Sequence, residues 1–179
     1  MDDPSAQHAI VRPVPDSYDR CIQTKTQKID VGTAKQQHEE YCRALQKHGL
    51  ELVWIPGDNN LPDSCFVEDT AMIFGETAVV CNMKMKTRAG EVVEVAQVLE
   101  ELMETYYIKP PATIDGGDVI QIKDKVFVGL SNRTNAQAAA QLRRILESTG
   151  RKVIPVKVRN VLHLKSACTY IGDNHVVFS

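Results

Sequence analysis

Ala71-Met72-Ile73-Phe74, Gly75-Glu76, Thr77-Ala78-Val79-Val80-Cys81: two β-rich runs meet at a two-residue polar turn, the sequence form of a β-hairpin. The form recurs. Val119-Ile120-Gln121-Ile122, the turn Lys123-Asp124 and Lys125-Val126-Phe127-Val128 make a second hairpin. Cys168-Thr169-Tyr170-Ile171, the turn Gly172-Asp173 and Asn174 through Phe178 make a third. The turns begin at 75, 123 and 172, a period of about 49 residues that indicates stacked or radially arranged repeats.

Between the hairpins the periodicity becomes helical. Val92, Val95, Ala96, Leu99, Leu102, Met103 and Tyr106 mark one apolar helix face. Asn135 is an N-cap candidate for a second helix through Ala138, Leu142, Ile145 and Leu146, closed by Gly150. The strand Lys152 to Val158 follows it. Upstream, His8 to Pro15 reads as a short strand stopped by prolines. Thr33 and Gln36 have capping-box spacing ahead of a helix through Tyr41, Ala44, Leu45 and His48, ended by Gly49, and Leu50 to Pro56 is a strand. The unit is hairpin, helix, strand, and each unit leaves an apolar sheet face that packing around a shared axis would bury. The expected fold class is α/β, a partial α/β propeller forming one incomplete domain over 1–179. The lead at 1–7 is expected to be disordered, repeats fall near 8–70, 71–117 and 118–166, and a partial repeat at 167–179.

With 179 residues, 43% apolar and 25% charged, the chain suits one ordinary globular domain. A net charge of −2 provides no bulk attraction to nucleic acid or to an anionic membrane. No apolar run reaches the length of a membrane span, and Met1 to Gln7 lacks the features of a secretory signal. Cys21, Cys42, Cys65, Cys81 and Cys168 are odd in number and scattered. Free thiols in a reducing, cytoplasmic setting are therefore expected, and no zinc-type spacing occurs.

Just ahead of the first hairpin lies Asp63-Ser64-Cys65-Phe66-Val67-Glu68-Asp69. From the residues alone two readings stand for its three carboxylates: a solubilising, capping loop, or a cation site at the mouth of a rigid element. The same openness holds elsewhere. His163, between Leu162 and Leu164, reads as a packed core residue or as a functional one. Asp115-Gly116-Gly117-Asp118 reads as a simple turn or a site, Arg133 as a helix cap or a ligand, and Arg88 as part of a solvated basic run or a ligand.

LPDSCFVEDTA, TIDGGDV, VFVGLSNRTN and VLHLKSA, in this order and at these intervals, resemble the dimethylarginine dimethylaminohydrolases of the guanidine-modifying (pentein) superfamily. The resemblance runs from His8 to about Phe178. It implies a propeller of five ββαβ repeats, of which about three are present here. It also implies hydrolysis of methylated arginine to citrulline and methylamine or dimethylamine. A cysteine thiolate attacks the guanidinium carbon and a histidine moves protons, with no cofactor and no metal. The expected partner is the small-molecule substrate. A guanidinium is planar with forked donors, so carboxylates are its natural partners. By resemblance, Glu68 and Asp69 hold the guanidinium and Asp63 the substrate's α-amino group. Asp115 orients the catalytic His163, Gly116 and Gly117 admit close approach of a ligand, and Arg88 and Arg133 clamp the substrate carboxylate.

The family's nucleophile would fall beyond Ser179. Cys168 is close to His163 in sequence, but residues five apart in an extended segment face opposite ways. Cys65 lies among carboxylates that raise its pKa. This chain alone is therefore expected to lack covalent catalysis. Two other functions remain open: a different guanidine-modifying enzyme, such as an arginine deiminase, and a non-catalytic guanidinium-binding or interaction module. A homodimer or a separately supplied C-terminal segment would close the open edges of either.

Overall fold

The computed structural model describes residues 7–179, so all of the expected lead-in except Gln7 lies outside the described residues. The chain opens with β1 (His8–Val11), crosses through α1 (Val31–Lys47) and returns as β2 (Glu51–Trp54), parallel to β1. Two complete units follow. β3 (Ala71–Phe74) and β4 (Thr77–Val80) form an antiparallel hairpin, and α2 (Val92–Leu102) carries the chain to β5 (Glu104–Tyr107), parallel to β4. β6 (Val119–Ile122), β7 (Lys125–Leu130), α3 (Ala136–Ile145) and β8 (Lys152–Lys157) repeat the same plan. The described chain closes with the short α4 (Leu164–Ala167) and the hairpin β9 (Cys168–Tyr170) and β10 (Val176–Phe178). Among the described residues, the ββαβ unit is complete twice, preceded by its last three elements and followed by its first two.

Local chemistry explains these boundaries. Asn135 caps α3 by accepting from the Ala138 amide at 3.0 Å. The hairpin turns at Gly75 and Lys123 are left-handed, with φ of 66° and 55°, which glycine accepts freely and lysine only at a cost. Pro155, lacking an amide hydrogen, sits in β8, the edge strand of its sheet. The main core joins the two complete units through Phe74, Val79, Ile114, Val126, Leu142 and Leu146. A smaller cluster of Ile55, Ala78, Val95 and Leu99 joins the opening β1–α1–β2 segment to the first complete unit. Buried Arg12 reinforces that junction by donating from Nε to the Pro56 carbonyl at 2.8 Å and pairing with Glu94 of α2. Beside β1 runs an apolar groove of about 1160 Å³ that includes Val95 and Leu99 of α2.

Four local expectations are corrected. The helix after the first hairpin stops at Leu102, and Glu104 to Tyr107 form β5; β-branched and aromatic side chains pair well beside β4, which wins over helical periodicity. Helix α1 is capped by Asp30, whose side chain accepts from the Thr33 amide at 2.8 Å, and not by Thr33. The third hairpin turns through Gly172, Asp173 and Asn174, all at positive φ, one residue longer than expected. The turn after His163 is helical where an extended run was expected.

Leu142 lies on the inner face of α3 and is fully buried in the main core. Leu142→Ala is expected to destabilise the fold by about 2–5 kcal/mol, read as a lower urea midpoint at unchanged slope.

Candidate active site

The repeat itself assembles the site. A tight 3₁₀ turn, Val67–Asp69, leads into β3; another, Gly116–Asp118, leads into β6; α4, with His163 as its N-cap residue, leads into β9. Three equivalent entrances thus converge, and they pack without spare room. A Cβ on Gly116 would lie 2.0 Å from the Glu68 carbonyl oxygen, and one on Gly117 would lie 2.7 Å from Asp69 Oδ1 and 3.0 Å from His163 Cγ. The glycine pair admits a close approach, but of neighbouring protein segments. The expected approach to a ligand is not what fills this space.

Asp69, Asp115 and His163 each offer one atom, and the three atoms lie within 4.8 Å of one another. His163 Nε2 is 3.8 Å from Asp69 Oδ1. Asp69 Oδ1 accepts from the Gly117 amide at 3.1 Å, and its Oδ2 accepts from Arg88 Nη1 at 2.8 Å. Asp115 is fully buried; Oδ2 accepts from Arg133 Nη1 at 3.3 Å, while Oδ1 has no partner among the described residues. Burial, aided by the nearby Asp69 charge and opposed by Arg133, pushes the Asp115 carboxyl up to about 6. Burial pulls His163 down, but Asp118, Asp69 and Asp115 outweigh it and hold the ring above its usual range. The trio could gather around a small cation. Arg88 and Arg133 already neutralise the two carboxylates from behind, which favours a spread, planar cation over a metal ion.

The structure departs from the expected roles. The contact assigned to Asp115 belongs to Asp118: His163 Nδ1 lies 3.5 Å from Asp118 Oδ2. The cause is the 3₁₀ turn, which places Asp118 Oδ1 2.9 Å from the amide of Leu164, the residue after His163. Glu68 is not in the trio. Its exposed side chain bonds Lys165 Nζ at 2.7 Å, tying the first entrance to α4. Asp63 is also apart: the turn it opens directs its buried carboxylate to the Ile22 amide at 3.1 and 3.3 Å. Arg88 and Arg133 are buried within ion pairs, not free clamps. Arg88 makes three bonds of 2.8–3.1 Å to Glu91, which is itself buried. Asp118, Glu91 and Lys165 were missed as site residues. Asp118 stood in the quoted TIDGGDV motif, and Glu91 lies three residues after Arg88, a spacing that brings side chains together on a helical turn.

In sequence and fold the chain is similar to known proteins. The family model "N,N dimethylarginine dimethylhydrolase, eukaryotic" matches residues 13–178. An N(G),N(G)-dimethylarginine dimethylaminohydrolase of Streptomyces coelicolor is 35% identical over 176 residues, covering 97% of this chain and 68% of the relative. The enzyme of that name from Pseudomonas aeruginosa is 32% identical over 178 residues, 96% of this chain and 68% of its own length. Among solved structures, a cysteine-to-serine mutant of the Pseudomonas aeruginosa protein complexed with citrulline superposes with a TM-score of 0.94. It is 30% identical, with 97% of this chain and 69% of that one covered. A dimethylarginine dimethylaminohydrolase adduct with S-methyl-L-thiocitrulline gives a TM-score of 0.93 at 30% identity, over 97% of this chain and 69% of that one. Matched by the family model through both of its complete repeats and all three entrances of its site, the chain belongs to the N,N-dimethylarginine dimethylhydrolase family.

Proposed function

We propose that this chain carries the guanidinium-binding and proton-transfer part of a centre that hydrolyses Nω-methylated arginine to citrulline and methylamine or dimethylamine. The observation that carries the reading is the buried trio Asp69, Asp115 and His163, whose atoms lie within 4.8 Å of one another. Asp69 and Asp115 have acceptor capacity beyond their arginine bonds, since an ionised carboxylate has about four acceptor sites. A guanidinium seated on them would lie beside His163. A thiolate adding to its central carbon gives a tetrahedral adduct. His163 then donates a proton to the departing amine, leaving an amidino group on sulfur. The neutral ring next takes a proton from water as the oxygen adds, and citrulline leaves as the thiolate is released. Such proton transfer contributes roughly 10²–10⁴-fold.

The attacking thiol is not among the five cysteines of residues 1–179. Burial pushes Cys65 up to about 12 and Cys81 well above the usual thiol range, and it raises Cys21 and Cys42 as well. Cys168 pairs with Phe178 inside a hairpin. A thiol from further chain of the same protein, within a five-repeat propeller, would complete the centre.

Calorimetric titration with asymmetric dimethylarginine, with L-arginine as comparison, tests the reading. Binding of the methylated ligand is expected, without citrulline release by residues 1–179 alone. A cation binds the ionised form of Asp115, so affinity should rise as pH rises through about 6 and fall below it. In Asp115→Asn that rise should vanish, with a loss of about 30-fold at pH 7.5. Absence of binding at any pH would sink the reading. Equal or tighter binding of L-arginine would favour a deiminase-like chemistry.

A further inference from the structure

We infer that Glu91 is a positioning residue: it holds the Arg88 guanidinium in one plane, so that Nη1 serves Asp69 and leaves Asp69 Oδ1 facing His163. The inference rests on the guanidinium-binding role given to Asp69 above. Glu91 is almost wholly buried, and its side-chain partner among the described residues is Arg88. The two share the 3₁₀ helix Lys86–Glu91, where residues three apart eclipse. The stretch Arg88-Ala89-Gly90-Glu91 therefore builds the pair locally. Arg88 Nε donates to both Glu91 oxygens, at 3.1 and 3.0 Å, and Nη2 donates to Oε2 at 2.8 Å. These bonds take one edge of a rigid, planar fork. With that edge fixed, the direction of Nη1 at the opposite corner is fixed too. Nη1 donates to Asp69 Oδ2 at 2.8 Å, across 19 positions of sequence. The guanidinium carbon also lies 5.9 Å from the centre of the Phe66 ring, just ahead of the Val67–Asp69 turn.

Asp69 gains both direction and charge from this arrangement. Its Oδ2 is held by Arg88, and its Oδ1 by the Gly117 amide at 3.1 Å. The carboxylate cannot rotate without breaking a bond, and Oδ1 stays 3.8 Å from His163 Nε2. One arginine shared between two carboxylates leaves the group net negative, so Asp69 keeps its attraction for a cation. An Arg88 without Glu91 would cancel that attraction. Burial pushes the Glu91 carboxyl up, and Arg88 opposes it. A buried ion pair adds little net stability, because desolvation offsets the attraction, although losing one partner is costly. What Glu91 contributes is the direction in which Arg88 points.

The experiment is calorimetric titration of residues 1–179 and the Glu91→Gln variant with two cations, asymmetric dimethylarginine and its decarboxylated analogue. Glu91→Gln removes the charge at nearly constant size. Both affinities should fall by the same factor, about 10-fold, because the weakened grip is on the guanidinium end that both ligands share. A loss confined to asymmetric dimethylarginine would mean that Arg88 serves the substrate carboxylate, and would overturn the inference. Unchanged affinities in a folded variant with a lower urea midpoint would also overturn it, leaving Glu91 a purely structural residue. Glu91→Asp, which keeps the charge on a shorter stem, carries the same comparison if Glu91→Gln does not fold. The Gly117 amide proton, followed by NMR without ligand, separates this inference from the proposed function. Its bond to Asp69 Oδ1 should weaken in the variant, seen as an upfield shift. If the wild type binds neither cation, the proposed function fails; the upfield shift would then still support the positioning role, and an unmoved Gly117 amide would overturn it.

Discussion

Arg88→Ala should lower stability at pH 7.5 by about 3–5 kcal/mol, the cost of removing one partner from a buried ion pair. Arg88 is nearly inaccessible and divides its guanidinium between Glu91 and Asp69. Truncation leaves Glu91 with no side-chain bond among the described residues, at a place where burial already raises its carboxyl. The pH dependence gives a check on cause. A carboxyl raised in the folded state contributes stability below its unfolded pKa and loses it as pH rises through the folded value. Without Arg88 the Glu91 carboxyl should rise further, so the defect should be larger at pH 7.5 than at pH 4.5. Arg88→Lys should recover only part of the loss, because one ammonium cannot reproduce the bidentate grip on Glu91 while reaching Asp69. Urea unfolding at the two pH values measures this. A loss below about 1 kcal/mol, with ligand affinity abolished, would restore the free clamp that the sequence motif implied.

Gly116→Ala should be as severe for a different reason. The new Cβ would lie 2.0 Å from the Glu68 carbonyl oxygen and 3.1 Å from that of Ala71. Both are backbone atoms, so no side-chain rotation relieves the clash and the Val67–Asp69 turn must move. Overpacking costs about 1–3 kcal/mol and occasionally more; with backbone on both sides, the loss expected here is about 3 kcal/mol. Because Asp69 travels with that turn, methylarginine binding should be lost as well. Gly117→Ala provides the contrast. Its Cβ meets side chains, Asp69 Oδ1 and His163 Cγ, which can give way. It should therefore impair binding strongly and stability less. Thermal unfolding beside calorimetry separates the two, and equal stability losses would contradict the packing argument.

How far the sequence could be read depended on the range of the interaction. Hairpin turns, the Asn135 cap and the starts of the helical stripes are local, and each was found within one or two residues of its place. The strand β5 was read as helix because Tyr106 continues the spacing of α2; only β4, outside that window, reveals the pairing. Asp69, Asp115 and His163 were each named, in separate roles, from motif resemblance; that they form one cluster is visible only where the three entrances converge. Contacts across the site were another matter. Asp118 and Leu164 are 46 positions apart, and Lys165 and Glu68 are 97 apart. No spacing rule says which of two acidic residues in Asp115-Gly116-Gly117-Asp118 turns toward the histidine. The arginines were assigned to a substrate carboxylate, yet in the folded chain the buried acids nearest to them take that role.

The central claim is that a methylated guanidinium is held by Asp69 and Asp115 beside His163. Its most direct test is a crystal structure of this protein with asymmetric dimethylarginine bound. The account predicts the guanidinium plane against both carboxylates, with a methylated nitrogen within hydrogen-bond reach of His163 Nε2. A ligand lodged in the apolar groove beside β1, or a trio still sealed by Arg88 and Arg133 with no ligand between its members, would contradict it.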